Sequence, residues 1–165
     1  MSSVNKNLSE FEGSIIPNAS AYKFAIVWSE WNHEVTNALK EGALQFLLKH
    51  GAKKENIIIK TVPGSYELTL GAQYCIENTD ADAIITLGCV IQGETRHFDF
   101  ICSAVAHGIT QLNINYSTPV IFGLLTPNNM QQAIDRSGGK HGNKGEEAAA
   151  TAIKMLALRD SFNKN

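Results

Sequence analysis

The 165-residue chain is 44% hydrophobic, 18% charged and 8% aromatic, the profile of one folded domain with a sizeable core, which excludes an extended disordered chain. Fourteen Lys and Arg against sixteen Asp and Glu leave a net charge of -2, so no global positive field exists to hold a nucleic acid backbone and any ligand must be recognised locally. The longest apolar runs, 57–59 and 120–125, fall far short of the roughly 20 residues that a bilayer-spanning helix needs; the first fourteen residues carry mixed charge and no apolar h-region, which argues against export and for the cytoplasm.

A polar leader over 1–20 reads as an arm, followed by one domain over 21–160 and a short tail over 161–165. Within the domain, strand-like and helix-like patterns alternate as they do in a parallel α/β sheet. The run KFAIVWS over 23–29 is too continuously apolar for a half-exposed strand and suits one covered on both faces. Asn32 is placed to cap the helix that follows, in which Val35, Ala38, Leu39, Gly42, Ala43, Phe46 and Leu47 recur at helical spacing until Gly51 offers a left-handed stop. A β-branched run over 57–62, closed by Pro63 and Gly64, predicts the second strand. The second helix spans 67–78, with Leu68, Gly71, Ala72, Cys75 and Ile76 on one face.

A buried third strand over 83–91, a loop over 92–97 and a helix over 98–115 come next, then a fourth strand over 120–125. Thr126, Pro127, Asn128 and Asn129 form a turn and a cap for a short segment over 130–136. A polar, Gly-rich link over 137–144 leads to a last helix over 145–158. Four strands separated by helices predict a three-layer α-β-α sandwich around a four-stranded parallel sheet with right-handed crossovers. Ligands of such folds sit beyond the carboxyl ends of the strands. Those ends are residues 29–33, 63–67, 89–97 and 122–128.

Cys75, Cys89 and Cys102 are an odd number without CxxC spacing, and read as small buried hydrophobes. No His-x-x-His or similar spacing marks a metal site. In the segment GCVIQGETRHF over 88–98, Gly93 permits a sharp turn, Thr95 brings a hydroxyl, and the N–H groups opening the next helix suit a phosphate or other anion. Glu94 argues against an anion, and helix capping by Glu94 and Thr95 is an equal alternative. At the loop-helix junction, His97 is a candidate for general acid-base chemistry or, more blandly, a solvent-facing or capping residue. His50 suits the end of the first helix, His107 lies mid-helix, and His33 and His141 read as exposed. The segment RSGGKHGNKG over 136–145 concentrates three cations. Neither Lys140 nor Lys144 is followed by Ser or Thr, so it is no Walker loop, and a solvated, flexible hinge is its alternative. GxGxxG is absent after the first strand. Trp31 is placed to stack on a planar heterocycle or to fill a helix-sheet boundary, and Glu67 to accept from a polyol or cap the second helix.

Four segments, SEWN over 29–32, VPGSYE over 62–67, GCVIQGETRHFD over 88–99 and RSGGKHGNKG over 136–145, resemble the 6,7-dimethyl-8-ribityllumazine synthase family of riboflavin biosynthesis over about residues 24–158. The resemblance implies a flavodoxin-like sandwich and a transferase that condenses 5-amino-6-(D-ribitylamino)uracil with L-3,4-dihydroxy-2-butanone 4-phosphate, releasing phosphate and water, without metal or organic cofactor. It implies that Trp31 stacks on the pyrimidine ring and that Ser65, Tyr66, Glu67, Cys89, Val90 and Ile91 hold the ring and ribityl chain. The same resemblance implies that Phe122 closes the pocket from an adjacent subunit. It implies further that Glu94 and Thr95, through backbone and hydroxyl groups, meet the phosphate with Arg136, that Lys144 assists, and that His97 transfers protons. Gln92 and Glu94 stand where the family often carries Arg and a small residue, which makes this loop less positive.

The implied assembly is a pentamer with active sites at subunit interfaces. The compact link over 138–145 is compatible with twelve pentamers closing into an icosahedral shell, and riboflavin synthase is an implied partner. The reading requires His97 and Arg136 to face one cleft, contributed by different copies of the chain. Its rivals are a catalytically silent flavin- or lumazine-binding module and a purely structural shell protein.

Overall fold

In a computed structural model, residues 15–162 are described. Four strands, β1 (Phe24–Ser29), β2 (Ile57–Val62), β3 (Ala83–Cys89) and β4 (Val120–Leu125), form one parallel sheet in the order β2-β1-β3-β4. The helices are α1 (His33–Lys49), α2 (Leu68–Asn78), α3 (His97–Tyr116), the short α4 (Met130–Ile134) and α5 (Lys144–Ser161). No helix among the described residues is long and apolar enough to cross a membrane.

Side chains alternate across the central strands, so each strand feeds two cores. Phe24, Ile26, Ile85 and Leu87 pack against α1 and α5 through Leu39, Ala43, Leu47, Ile153 and Leu156. Ala25, Val27 and Ile84 pack on the other face against α2 and α3 through Leu68, Ala72, Val105 and Ile109. Covering on both faces explains why β1 and β3 are nearly continuous apolar runs: all seven positions of β3 are buried. Removing one of these branched side chains to Ala costs about 2–5 kcal/mol. The packed body starts ahead of residue 21, because Ala19 is buried and its N–H donates to the carbonyl of His50 at 2.8 Å. Residues 1–14 of the leader and 163–165 of the tail lie outside the described residues.

Three expectations need correction. Asn32 stands at the start of α1 in a left-handed conformation (φ 57°), yet its side chain does not cap the helix. Its amide donates instead to the carbonyl of Cys89 at 2.9 Å. β3 stops at Cys89 rather than Ile91, because β1 has already turned away. Val90 and Gln92 then hydrogen-bond only toward the other side, to Leu125 and Pro127.

The link over 137–144 is not a flexible hinge. It folds into an antiparallel pair, β5 (Ser137–Gly139) and β6 (Gly142–Asn143), with Gly138 and Gly142 at positive φ. Asn143 is buried; its amide donates to Ala38 at 2.9 Å and Ser137 at 3.3 Å, and its Oδ1 accepts from Gly145 N–H at 2.8 Å. A Cβ on Gly42 would fall 2.5 Å from the Asn143 amide, and one on Gly145 would fall 1.9 Å from the Leu39 carbonyl oxygen. The hairpin is therefore seated on α1 at backbone distance, and it delivers Lys144 as the first residue of α5.

Candidate functional site

In the order β2-β1-β3-β4 the chain leaves β1 toward one side and β3 toward the other, which opens a crevice at the carboxyl ends of these two strands. Three segments meet there. The N–H groups of Glu30 and Trp31 donate to the carbonyls of Val62 and Pro63 at 2.9 and 3.2 Å, tying the turn after β1 to the turn after β2. The Asn32 amide ties the same turn to Cys89. The structure so brings Trp31, Ser65, Tyr66, Glu67, Cys89, Val90 and Ile91 to one end of the sheet.

Within this group, burial sorts the side chains. Trp31 is 72% exposed, an indole held in place by its backbone with little packed against it. Tyr66 and Glu67 are exposed, Val90 and Ile91 half-buried, and Ser65 and Cys89 buried. The Glu67 carboxylate accepts from the N–H of Gly64 at 3.1 Å, closing the Pro-Gly turn rather than capping α2. The Ser65 hydroxyl, packed over Gly88, finds no hydrogen-bond partner, nor does that of Ser29 at the end of β1. Buried polar groups are ordinarily hydrogen-bonded, and Thr69 in α2 is a third such hydroxyl among the described residues. Burial, reinforced by the neighbouring Cys102, pushes the Cys89 thiol up to about 12, which excludes a thiolate nucleophile at neutral pH. Burial raises Cys75 and Cys102 as well, although Cys102 is only half-buried.

The loop beyond β3 carries Glu94, Thr95 and His97, all exposed. Thr95 Oγ1 accepts from His97 N–H at a long 3.4 Å, and no side chain caps α3 at Arg96. Gly93 does not have a positive φ, and a Cβ there would meet nothing within 4 Å. The chain bends at Glu94 and Thr95 without using a glycine-only conformation, and the loop stands open.

The remaining candidates lie elsewhere. β4 is an edge strand, and between it, α4 and α5 opens a cleft of about 690 Å³ lined by Phe122, Gln132, Arg136, Lys144, Glu147 and Thr151 among others. Phe122 is 40% exposed in a strand otherwise buried. Arg136 Nη1 donates to the Gln132 carbonyl at 3.0 Å, and Lys144 N–H to the Arg136 carbonyl at 2.8 Å, so the two cations share one backbone frame. Lys144 Nζ lies 2.7 Å from the Glu147 carboxylate.

Neither Trp31 nor His97 lines this cleft. Within one chain, then, His97 is not among the residues that line the cleft of Arg136. Sequence reasoning missed Glu147, Gln132 and Thr151. Glu147 follows Glu146 in the first turn of α5, where acids ordinarily serve the helix dipole, and only the packing of α5 beside β4 turns one of them inward. Among the described residues no group of three or more His, Cys, Asp or Glu is arranged to hold a metal ion.

A family model described as 6,7-dimethyl-8-ribityllumazine synthase matches residues 21–160. The chain is 61% identical to the 6,7-dimethyl-8-ribityllumazine synthase of Cytophaga hutchinsonii over 157 residues, covering 95% of this chain and 98% of that protein. It is 54% identical to the protein of the same name from Parabacteroides distasonis, covering 94% and 98%. A third relative so named, from Bacteroides fragilis, is 59% identical over 142 residues, covering 86% and 99%.

Proposed function

This chain belongs to the 6,7-dimethyl-8-ribityllumazine synthase family, and from that premise we propose how its residues divide the work of one condensation between two copies. The enzyme is a transferase that joins 5-amino-6-(D-ribitylamino)uracil to L-3,4-dihydroxy-2-butanone 4-phosphate. The products are 6,7-dimethyl-8-ribityllumazine, phosphate and water, at the penultimate step of riboflavin biosynthesis.

In this reading the crevice side of one copy takes the pyrimidine. Trp31 stacks on its ring, while Ser65, Tyr66, Glu67, Cys89, Val90 and Ile91 hold the ring edge and the ribityl chain, chiefly through backbone groups. The open loop at Glu94 and Thr95 offers N–H and hydroxyl donors to the phosphate. The β4-edge cleft of a neighbouring copy supplies Phe122 as the lid over the ring and Arg136, assisted by Lys144, as the phosphate's counter-charge. A guanidinium fork suits a phosphate better than a point charge does.

The amine attacks the ketone carbon and water leaves to give an imine. A proton is then removed as the C–O bond to phosphate breaks, and the second amine closes the ring with loss of a further water. His97, exposed at the start of α3, relays the protons, an effect of about 10²- to 10⁴-fold. Holding the two substrates in contact contributes more.

The observation that carries this reading is the separation itself. Trp31 stands at the carboxyl end of the sheet, where Asn32 ties its turn to Cys89, whereas the cleft beside β4 is lined by Phe122, Arg136 and Lys144 and by neither Trp31 nor His97. A cyclic assembly repeats that junction at every interface. A pentamer, and beyond it a shell of twelve pentamers, is the assembly we assign. The outer surfaces of α2 and α3 agree with it, because Leu70, Tyr74, Phe100 and Ile114 are exposed there. The cytoplasm is its compartment, in keeping with three free cysteines, and riboflavin synthase, which would consume the product, is its partner. Mixing both substrates with the purified protein should generate lumazine absorbance. A ring bound without product formation would leave only a binding module.

A further inference from the structure

We propose that Glu147 sets how loosely the β4-edge cleft holds phosphate, offsetting the charge with which Lys144 assists Arg136 so that the cleft keeps a single net positive charge and inorganic phosphate is released readily. This rests on the reading above, in which that cleft takes the phosphate. Three observations carry it.

The first is placement. Arg136, Lys144 and Glu147 line the same cleft, and the hydrogen bond from Lys144 N–H to the Arg136 carbonyl holds the two cations in a fixed relation. The second is pairing. Lys144 Nζ is 2.7 Å from Glu147 Oε1, and the side chains are only 16% and 17% exposed, so solvent screens this pair less than a surface pair. Arg136 has no carboxylate within ion-pair distance among the described residues.

The third is redundancy. Glu146 already places an acid in the first turn of α5, so the helix end does not require a second one turned into the cleft. Three formal charges there sum to a single positive charge. A cleft built only to grip a phosphate dianion would omit the carboxylate, because it repels the ligand. One that must also let the leaving phosphate depart benefits from it.

The test measures inorganic phosphate affinity by titration calorimetry on the assembled protein, alongside phosphate inhibition of the reaction. Glu147→Gln should tighten phosphate binding about five- to tenfold, from the loss of one like charge several ångströms away. Phosphate inhibition should strengthen by a similar factor, and KM for the phosphorylated substrate should fall. Lys144→Gln should weaken binding, and the double variant should bind more tightly than Lys144→Gln alone and close to the wild type. Unchanged or weaker phosphate binding in Glu147→Gln would overturn the proposal, since a carboxylate that merely orients Lys144 gives that sign. If Glu147→Gln fails to fold, the double variant against Lys144→Gln reads the same carboxylate, and equal affinities would overturn it. Wild-type phosphate affinity in Arg136→Ala would instead remove the phosphate from this cleft, a different failure.

Discussion

The side-chain amide of Asn32 donates to the backbone carbonyl of Cys89 at 2.9 Å, bridging the ends of β1 and β3 where the ladder between them has stopped. That bond holds the turn bearing Trp31 against the strand end bearing Val90 and Ile91. It also requires Asn32 to sit at φ 57°, a conformation that Asn tolerates better than most residues. Asn32→Gly keeps the backbone conformation available but removes the bond, and should cost about 1–2 kcal/mol in chemical denaturation. Its larger effect should be a raised KM for the pyrimidine with KM for the phosphorylated substrate little changed. Equal changes in both would show that the bond does not position the ring site.

Gly42 and Asn143 form a reciprocal pair. Gly42→Ala introduces a methyl 2.5 Å from the Asn143 amide, and Asn143→Ala leaves the Ala38 carbonyl and the Gly145 N–H without their partner. Each should destabilise by about 1–3 kcal/mol. In the double variant the steric conflict is gone, so the total loss should be clearly smaller than the sum, as expected for residues in contact. Urea unfolding midpoints of the four proteins check this. Strict additivity would mean that α1 and the hairpin are not coupled through this contact.

Mixing experiments address the division of the site between copies. His97→Ala should lower turnover about 10²- to 10⁴-fold while leaving residual activity from substrate positioning. Arg136→Ala should raise KM for the phosphorylated substrate and lower turnover. Dissociating and reassembling the two variants together should restore activity above either parent, because some interfaces then combine an intact His97 with an intact Arg136. Absence of recovery, with mixed assemblies verified by mass spectrometry, would place both groups in one copy's site.

The Cys89 thiol gives a pH prediction with a definite sign. Burial raises it from 9.0 to about 12, so between these values the unfolded chain loses this proton while the folded chain keeps it. Stability from this group is fully present below pH 9 and is lost as pH rises toward 12. Denaturant midpoints measured from pH 8 to 11 should fall, and Cys89→Ala, although less stable at pH 8, should fall less steeply. An identical slope would assign the alkaline loss to other groups.

Composition and periodicity by themselves determined the layered α/β architecture, because a strand covered on both faces must be apolar throughout and a helix covering it must carry an apolar stripe. KFAIVWS and the spacing of Val35, Leu39, Ala43 and Leu47 obey those demands locally, and the four short motifs were enough to reveal kinship. The ends of elements were less legible where a distant side chain intervened. β1 has turned away by the end of β3, and Asn32, 57 residues from Cys89 in sequence, takes the Cys89 carbonyl there. The order in 137–143 depends on Asn143 reaching Ala38 across 105 residues, so a polar, glycine-rich stretch resembled a hinge until its partner was in view. Only the tertiary structure decided that β4 is an edge strand, and that Phe122, Arg136 and Lys144 line a cleft beside it which neither Trp31 nor His97 lines. Strand order depends on which crossover packs on which face of the sheet, a long-range choice that no window of neighbouring residues encodes.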